Sequence, residues 1–250
     1  MQSWIACDVE DGIAIVRMQR PPANTIDIAL LAQLARTLEE VERRGDIAAF
    51  VLTGTGKAFS AGLDLKLVPT YDRAQQNELL RVLNQALYQL YALPMPTVAA
   101  VNGHAIAGGL VLALACDRRV AVGEGALLGL TEVRAGVPFP VAAMAVVKGE
   151  LPPATARELV LGGNNCDPAR ALALGIVDEL QPADDVLAHG KALAKELAAA
   201  PRQSYGRIKR QLRAGALAEI EHALGSSDPL HGSWIGDETA AAAARVLRGG

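Results

Sequence analysis

The chain has 250 residues and a net charge of −3, and about half of its residues are apolar. This length supports one substantial hydrophobic core, or two small domains at most, and the apolar share argues against disorder. The charge provides no basic surface for nucleic acid, and no stretch interleaves basic and aromatic residues as a single-strand binder does.

The cysteines and the apolar stretches indicate the compartment. Cys7, Cys116 and Cys166 are too few and too scattered for a disulfide framework or a zinc ligand set, so we expect reduced thiols. Acidic residues interrupt the N-terminal segment, which excludes a signal peptide there. Pro, Gly or charge breaks each apolar stretch within about fifteen residues, so we predict a cytoplasmic protein without a membrane span.

The N-terminal part of the chain predicts a hairpin and a helix. Residues 4–9 and 13–18 are strand patterns joined by a turn at Asp11-Gly12. Asp27 is a candidate N-cap for a helix whose one face carries Leu30, Leu31, Leu34, Leu38 and Val41.

The central part predicts buried strands separated by a glycine-rich loop and a helix. Residues 48–52 are a short apolar run typical of a buried strand, and the loop 53–65 follows. A helical pattern over 79–93 precedes a second buried strand at 97–101. The chain then turns toward Gly108, which begins another helix.

The remaining chain is mostly helical. Residues 119–122 and 127–130 predict short strands, the chain beyond Val141 is nearly all helical, and one more short strand is predicted at 177–180. Repeated strand–strand–helix units followed by helices predict one α/β domain with a helical C-terminal extension.

The glycine-rich segment 56–65, GKAFSAGLDL, is the first that could carry chemistry. Its small residues Ala61 and Gly62 allow a backbone to approach a ligand closely. A P-loop is excluded because Ala58 replaces the hydroxyl residue that follows the lysine. A nucleophile elbow at Ser60 is excluded because Ala58 also occupies the position of its first glycine. A simple turn remains the alternative.

The second segment is 101–110, VNGHAIAGGL, in which a strand runs through glycines into a helix. Free amides at a helix N-terminus bind an anion or a developing oxyanion. The spacing of Gly103, Gly108 and Gly109 is not the dinucleotide-binding pattern. Close packing of helix on strand is the alternative explanation.

The third segment is 129–140, GLTEVRAGVPFP, with Glu132 between apolar neighbours after a short strand. A carboxylate there is either a solvated surface group or a desolvated base with a raised pKa. Taken in isolation, the pattern favours the surface group.

Three residues receive structural interpretations. We interpret His104 as a hydrogen-bonded packing histidine, Asp117 as a helix cap or ion-pair partner, and Trp234 as an anchor for the C-terminal tail rather than part of a binding site.

Together these segments resemble the crotonase (enoyl-CoA hydratase/isomerase) superfamily. Residues 20–24, RPPAN, are similar to its R-P-x-x-N element, and residues 171–179, ALALGIVDE, to its A-x-x-L-G-I/L-V-D element. The resemblance covers nearly the whole chain. It implies the superfamily's spiral of repeated β-β-α units, with a core over 1–195 and a helical extension over 196–250 that takes part in trimerisation.

The resemblance also assigns site residues. It implies that the backbone N–H groups of Leu63 and Gly108 form an oxyanion hole for a thioester carbonyl and that Glu132 is catalytic. Residues that match the substrate and coenzyme A path are Lys57, Ala61, Gly62, Asp64, Leu65, Lys66, Gly109, Val111 and Phe139. Coenzyme A is part of the substrate, so no separate cofactor and no metal is expected.

The reaction follows from one missing carboxylate. Family hydratases use two glutamates, and the first of these positions is Val111 here, which cannot hold a water or accept its proton. A single base suffices to move a double bond: Glu132 would remove a proton from C2 of a 3-enoyl thioester and return it at C4. The segments 59–65 and 129–132 are similar to the Δ3,Δ2-enoyl-CoA isomerase branch.

Other functions stay open at this stage. They are another reaction of the superfamily on an acyl-CoA (hydration, thioester hydrolysis or decarboxylation), a catalytically silent acyl-CoA-binding or scaffold protein, and an RNA-associated relative. The acidic charge and the presence of Glu132 argue against the last two. The resemblance implies a homotrimer or a dimer of trimers, with no nucleic-acid or membrane partner.

Overall fold

The computed structural model describes residues 2–226, 228–236, 238–239, 241–242 and 244–245. The chain begins with the predicted hairpin of β1 (Ile5–Glu10) and β2 (Ile13–Met18), followed by α1 (Ile28–Arg43). The Asp27 carboxylate accepts a hydrogen bond from the Leu30 N–H, which confirms the predicted N-cap, and the predicted apolar face of α1 is buried.

The other elements alternate strands with helices before the helical C-terminal part. They are β3 (Ala49–Gly54), β4 (Ala58–Ser60), α2 (Arg73–Ala92), β5 (Thr97–Val101), β6 (His104–Ile106), α3 (Gly108–Leu114), β7 (Arg118–Val122), β8 (Leu128–Gly129), α4 (Glu132–Ala135), α5 (Val141–Glu150), α6 (Pro153–Gly162), β9 (Asn165–Cys166), α7 (Pro168–Ala173), β10 (Glu179–Gln181), α8 (Val186–Leu197), α9 (Arg202–Leu212) and α10 (Ala214–Gly225). None of the described helices is long and apolar enough to cross a membrane.

These strands form two sheets. The larger has the order β1-β2-β3-β5-β7-β10, with β1 antiparallel and the other neighbours parallel. The smaller has the order β4-β6-β8-β9, in which β4, β6 and β8 run parallel. The first unit has both of its strands, β1 and β2, in the large sheet, whereas the units that begin at β3, β5 and β7 place their first strand in the large sheet and their second in the small one. This arrangement confirms the predicted α/β spiral of repeated units.

Two features differ from the sequence-based expectation. The residues of β4 and β6 were predicted as a loop and a turn. Both strands were missed because each is only three residues long and gains its hydrogen bonds from partners distant in sequence. Helix α2 begins at Arg73 rather than at residue 79. Asp72 and Gln75 form a reciprocal capping box there, which extends the helix through a polar turn without apolar periodicity.

The C-terminal helices pack on the main core. Leu217 and Ile220 of α10 are buried against α2 and α5. Buried charges tie α9 and α10 to the body: Asp117 lies 2.8 Å from Lys209 Nζ and 3.0 Å from Arg213 Nη1, which confirms the predicted pairing of Asp117. The division predicted at residue 195 falls within α8, and the role of the extension in trimerisation stays a prediction.

Two first-turn glycines allow a test of this packing. A Cβ on Gly109 of α3 would lie 2.2 Å from the Ser60 carbonyl oxygen, whereas a Cβ on Gly215 of α10 would meet no atom within 4 Å. We expect Gly109→Ala to lower the free energy of unfolding by about 1–3 kcal/mol through overpacking. Gly215→Ala, the matched control, should raise it by about 0.4–1 kcal/mol. Urea denaturation measures both, and equal effects of the two variants would contradict the close packing.

Candidate active site

Three neighbouring strands of the small sheet lead into the three segments singled out in the sequence. Strands β4, β6 and β8 are parallel, with Ala58 opposite His104 and Ala105 opposite Leu128. Because parallel neighbours end at the same edge of a sheet, the segments that follow them lie side by side. This edge brings together residues far apart in the chain.

The first two segments touch at Gly62 and Gly108. Gly62 has a φ of +76°, and a Cβ there would lie 2.8 Å from the Ile106 carbonyl oxygen and 3.2 Å from the Gly108 nitrogen. No side chain fits this approach, so glycine is required at position 62. The nitrogen of Leu63, next in the chain, therefore lies close to that of Gly108.

The amides of Leu63 and Gly108 are free to bind a ligand. Among the described residues neither N–H donates a hydrogen bond, although the N–H of Gly62 bonds Ser60 Oγ and that of Asp64 bonds the Ile26 carbonyl. Gly108 begins α3, where N–H groups have no partner within the helix. Free backbone donors of this kind, one of them at a helix N-terminus, can stabilise a carbonyl oxygen that gains negative charge.

Asp64 holds this loop in place. Arg20 Nη2 donates to its Oδ2 at 2.9 Å, and the Lys66 N–H donates to its Oδ1 at 3.1 Å. Burial opposes ionisation, but these hydrogen bonds outweigh it and lower the pKa of Asp64 below its ordinary value. Arg20 also lies 3.2 Å from Asp27, so its charge is compensated within the protein.

A cavity of about 420 Å³ adjoins the two amides. The predicted site residues that line it are Ala61, Leu63, Leu65, Gly108, Val111, Glu132 and Phe139. The side chains of Lys57 and Lys66 are exposed at the surface instead. Gly62 and Gly109 lie outside the cavity wall, where Gly62 allows the approach of the two loops and Gly109 packs on Ser60. The ligand contacts predicted for these two glycines and for Asp64 stay predictions.

Glu132 is the acid of the cavity. It is the first residue of α4 and only 7% exposed, and its Oε2 has no hydrogen-bond partner among the described residues. Burial raises the pKa of Glu132 to about 8, against a weaker opposing effect of its own backbone N–H. The structure therefore excludes a solvated surface group and gives a desolvated carboxylate.

No second carboxylate faces Glu132 among the described residues of the cavity wall. Val111 of α3 lines the cavity with an isopropyl side chain and is 1% exposed. The described residues also include no cluster of His, Cys, Asp and Glu that could hold a metal ion. Glu132 is thus the acid on the described cavity wall that could transfer a proton.

The sequence did not indicate some of the cavity wall. Trp234 was interpreted as an anchor only; its Nε1–H does donate to the Pro138 carbonyl at 2.8 Å, but its ring also lines the cavity. Arg134 lies at the cavity and donates from Nε to the Gly163 carbonyl at 2.6 Å, which ties α4 to the loop after α6. His104 accepts a hydrogen bond from the Leu127 N–H, as expected of a packing histidine.

The fold and the site define a class of enzyme: two sheets built from β-β-α units, with two amides and a buried glutamate beside a cavity at the edge of the smaller sheet. The model of the enoyl-CoA hydratase/isomerase family matches residues 8–239. The chain belongs to this family, and the predicted membership of the crotonase superfamily is confirmed.

Individual relatives are consistent with this membership. The chain is 35% identical over 198 residues to the "Probable enoyl-CoA hydratase EchA17" of Mycobacterium tuberculosis, covering 79% of this chain and 76% of that protein. The crystal structure of the enoyl-CoA hydratase EchA3 from Mycobacterium ulcerans is similar with a TM-score of 0.84 and 29% identity, covering 90% and 98% of the two chains. Human mitochondrial Δ3,Δ2-enoyl-CoA isomerase shares the fold with a TM-score of 0.91 over 98% of this chain and 97% of that one, at 24% identity.

The raised pKa predicts a pH-dependent stability. Between the ordinary pKa of 4.5 and about 8, Glu132 holds its proton in the folded chain but loses it in the unfolded chain. The free energy of unfolding therefore falls as pH rises through this window, by up to about 1.4 kcal/mol per pH unit. Glu132→Gln does not titrate, so we expect its stability relative to wild type to increase from about pH 5 to about pH 8 in urea denaturation. A constant difference would contradict the raised pKa.

Proposed function

We propose that the chain is a Δ3,Δ2-enoyl-CoA isomerase in which Glu132 is the sole proton carrier. The observation that carries this proposal is a single buried carboxylate in an apolar cavity that also holds two free amides. A 1,3 proton shift needs one group that accepts and returns a proton, and a dry site that stabilises the charge in between.

In the proposed mechanism the thioester carbonyl of a 3-enoyl-CoA accepts hydrogen bonds from the N–H groups of Leu63 and Gly108. The Glu132 carboxylate removes a proton from C2, and the electron pair delocalises into a dienolate whose charge rests on the carbonyl oxygen. Glu132, now neutral, returns the proton at C4, so the double bond moves from C3–C4 to C2–C3. Each amide donor would lower the barrier by roughly 3–4 kcal/mol.

Burial suits Glu132 to both halves of this cycle. A carboxylate with a pKa of about 8 is a stronger base than an exposed one, which favours removal of a weakly acidic C–H proton. The neutral acid is also the form that an apolar cavity tolerates best. The group therefore does not depend on a second side chain to relay its proton.

The remaining parts of the proposal concern binding and assembly. Lys57 directly precedes β4 and Lys66 follows the loop that carries Leu63; both side chains are exposed, and we assign them to the phosphates of coenzyme A. The substrate supplies coenzyme A, so no separate cofactor is needed. A cytoplasmic homotrimer or dimer of trimers is proposed from the family resemblance.

Hydration of a 2-enoyl-CoA is the second candidate, because EchA17 and other relatives are named enoyl-CoA hydratases. Adding water requires that a water molecule be oriented and its proton moved, which two facing carboxylates do well. Val111 supplies no such group. Incubation with crotonyl-CoA and with 3-hexenoyl-CoA, with chromatographic separation of the products, distinguishes hydration and thioester cleavage from isomerisation.

The first functional prediction concerns the base. Glu132→Gln should lower kcat for 3-hexenoyl-CoA by roughly 10²–10⁴-fold, because the amide cannot accept the C2 proton. Wild-type kcat/KM should rise about tenfold per pH unit below pH 8 and level off above it, because the ionised carboxylate is the active form. Saturated hexanoyl-CoA should bind to the variant as it does to wild type. Wild-type turnover in the variant would contradict the mechanism.

The second prediction concerns the missing carboxylate. Val111→Glu should raise the rate of crotonyl-CoA hydration, because it adds a second acid to the cavity wall. Val111→Gln, which has a similar shape but no proton to transfer, is the matched control. Equal hydration by both variants would show that the carboxylate at position 111 does not decide between the reactions.

A further inference from the structure

Part of the cavity is lined by buried apolar residues and is here called the acyl chamber. Its wall is formed by Leu83, Leu87, Leu112, Ala143 and Trp234. Each of these residues is less than a tenth exposed, whereas Arg134 and Asn164 elsewhere on the cavity wall are exposed. A charged coenzyme must remain on the exposed side, so the acyl chain of a bound thioester extends into this compartment.

Trp234 is part of the wall of the acyl chamber, although it lies far along the chain from the other wall residues. It is 2% exposed, and its Nε1–H donates to the Pro138 carbonyl at 2.8 Å. Turning the ring out of the chamber would break this hydrogen bond and expose a large apolar surface. The ring is therefore a fixed part of the wall.

The backbone on either side of Trp234 is held by helix α2. The Gly232 N–H donates to Asn77 Oδ1 at 2.8 Å, and the Ile235 N–H donates to Gln76 Oε1 at 3.3 Å. Both acceptors lie in the first turns of α2, the helix that also supplies Leu83 and Leu87. One rigid element thus sets the distance between the ring and the opposite wall.

A buried aspartate fastens the start of the same segment. Asp228 Oδ2 accepts hydrogen bonds from the Val141 N–H at 2.8 Å and from Asn84 Nδ2 at 3.0 Å, and its Oδ1 accepts one from the Leu230 N–H. Val141 begins α5 after Pro140, whose side chain provides no cap. Asp228 provides the cap from a distant part of the chain, next to cavity residues Phe139 and Pro140.

We propose that Trp234 determines the length of the acyl chain that the site accepts. This inference rests on the proposed acyl-CoA function. Each methylene that fills the acyl chamber should tighten binding about fourfold, as expected for burial of a CH₂ group. A chain long enough to press on the indole ring should bind less tightly, because the ring cannot withdraw without losing its contacts.

The test measures binding rather than turnover, with saturated acyl-CoAs of even chain length from butanoyl- to dodecanoyl-CoA in titration calorimetry. Wild-type affinity should rise with chain length and then fall at the length that meets the ring. In Trp234→Ala and Trp234→Leu the optimum should move to chains at least two carbons longer. Trp234→Phe keeps an aromatic ring without the N–H and should leave the optimum at the wild-type chain length.

A matched core variant separates chamber size from stability. Leu217→Ala truncates a buried residue of α10 outside the cavity. It should lower Tm but leave the preferred chain length unchanged. An unchanged optimum in folded Trp234→Leu, with wild type still binding acyl-CoA, would overturn the role of Trp234 alone. Absence of binding for every acyl-CoA in wild type would overturn the proposed function as well.

Discussion

The site depends on the approach of two backbone segments that no side chain separates. Gly62 lies against Ile106 and Gly108 because β4 and β6 are parallel neighbours whose ends meet at one edge of the small sheet. The hydrogen bonds from the Ala61 N–H to Ala23 and from the Asp64 N–H to Ile26 hold the first segment on both sides. These bonds satisfy the surrounding backbone, and the N–H groups of Leu63 and Gly108 have no partner in the part of the chain that the structure describes.

Two acids near this edge have pKa values that are shifted in opposite directions, which separates their roles. Asp64 receives hydrogen bonds from Arg20 and from backbone N–H groups, so its pKa falls and it is a charged anchor for the loop. Glu132 is desolvated by burial, and no described residue donates to its Oε2, so its pKa rises to about 8. Carboxylates whose environments push their pKa values apart commonly divide structural and catalytic tasks. The fold gives Asp64 hydrogen-bond donors and leaves Glu132 desolvated.

Local signals in the sequence predicted much of the fold but only part of the site. Strand β5 has a clear apolar run, and Asp27 is a typical capping residue, so both features were predicted correctly. The three-residue strand β4 was missed because its hydrogen bonds come from strands distant in sequence. Burial of Glu132 could not be read from its neighbours, since the surrounding cavity is built from several distant elements. The family resemblance, rather than the local pattern, identified this glutamate.

Trp234 is a second residue whose place in the cavity wall no local sequence pattern could predict. Its partner Pro138 is 96 positions away, so no periodic pattern relates the two residues. This distant contact also bears on the proposed reaction, because a dienolate persists only where water cannot protonate it or add to the double bond. Val111 and the apolar wall that Trp234 completes supply no group that would hold a water molecule beside C3. The apolar wall proposed to limit the acyl chain would thus also favour return of the proton from Glu132 over hydration. One wall would then determine both the chain length of the substrate and the type of reaction.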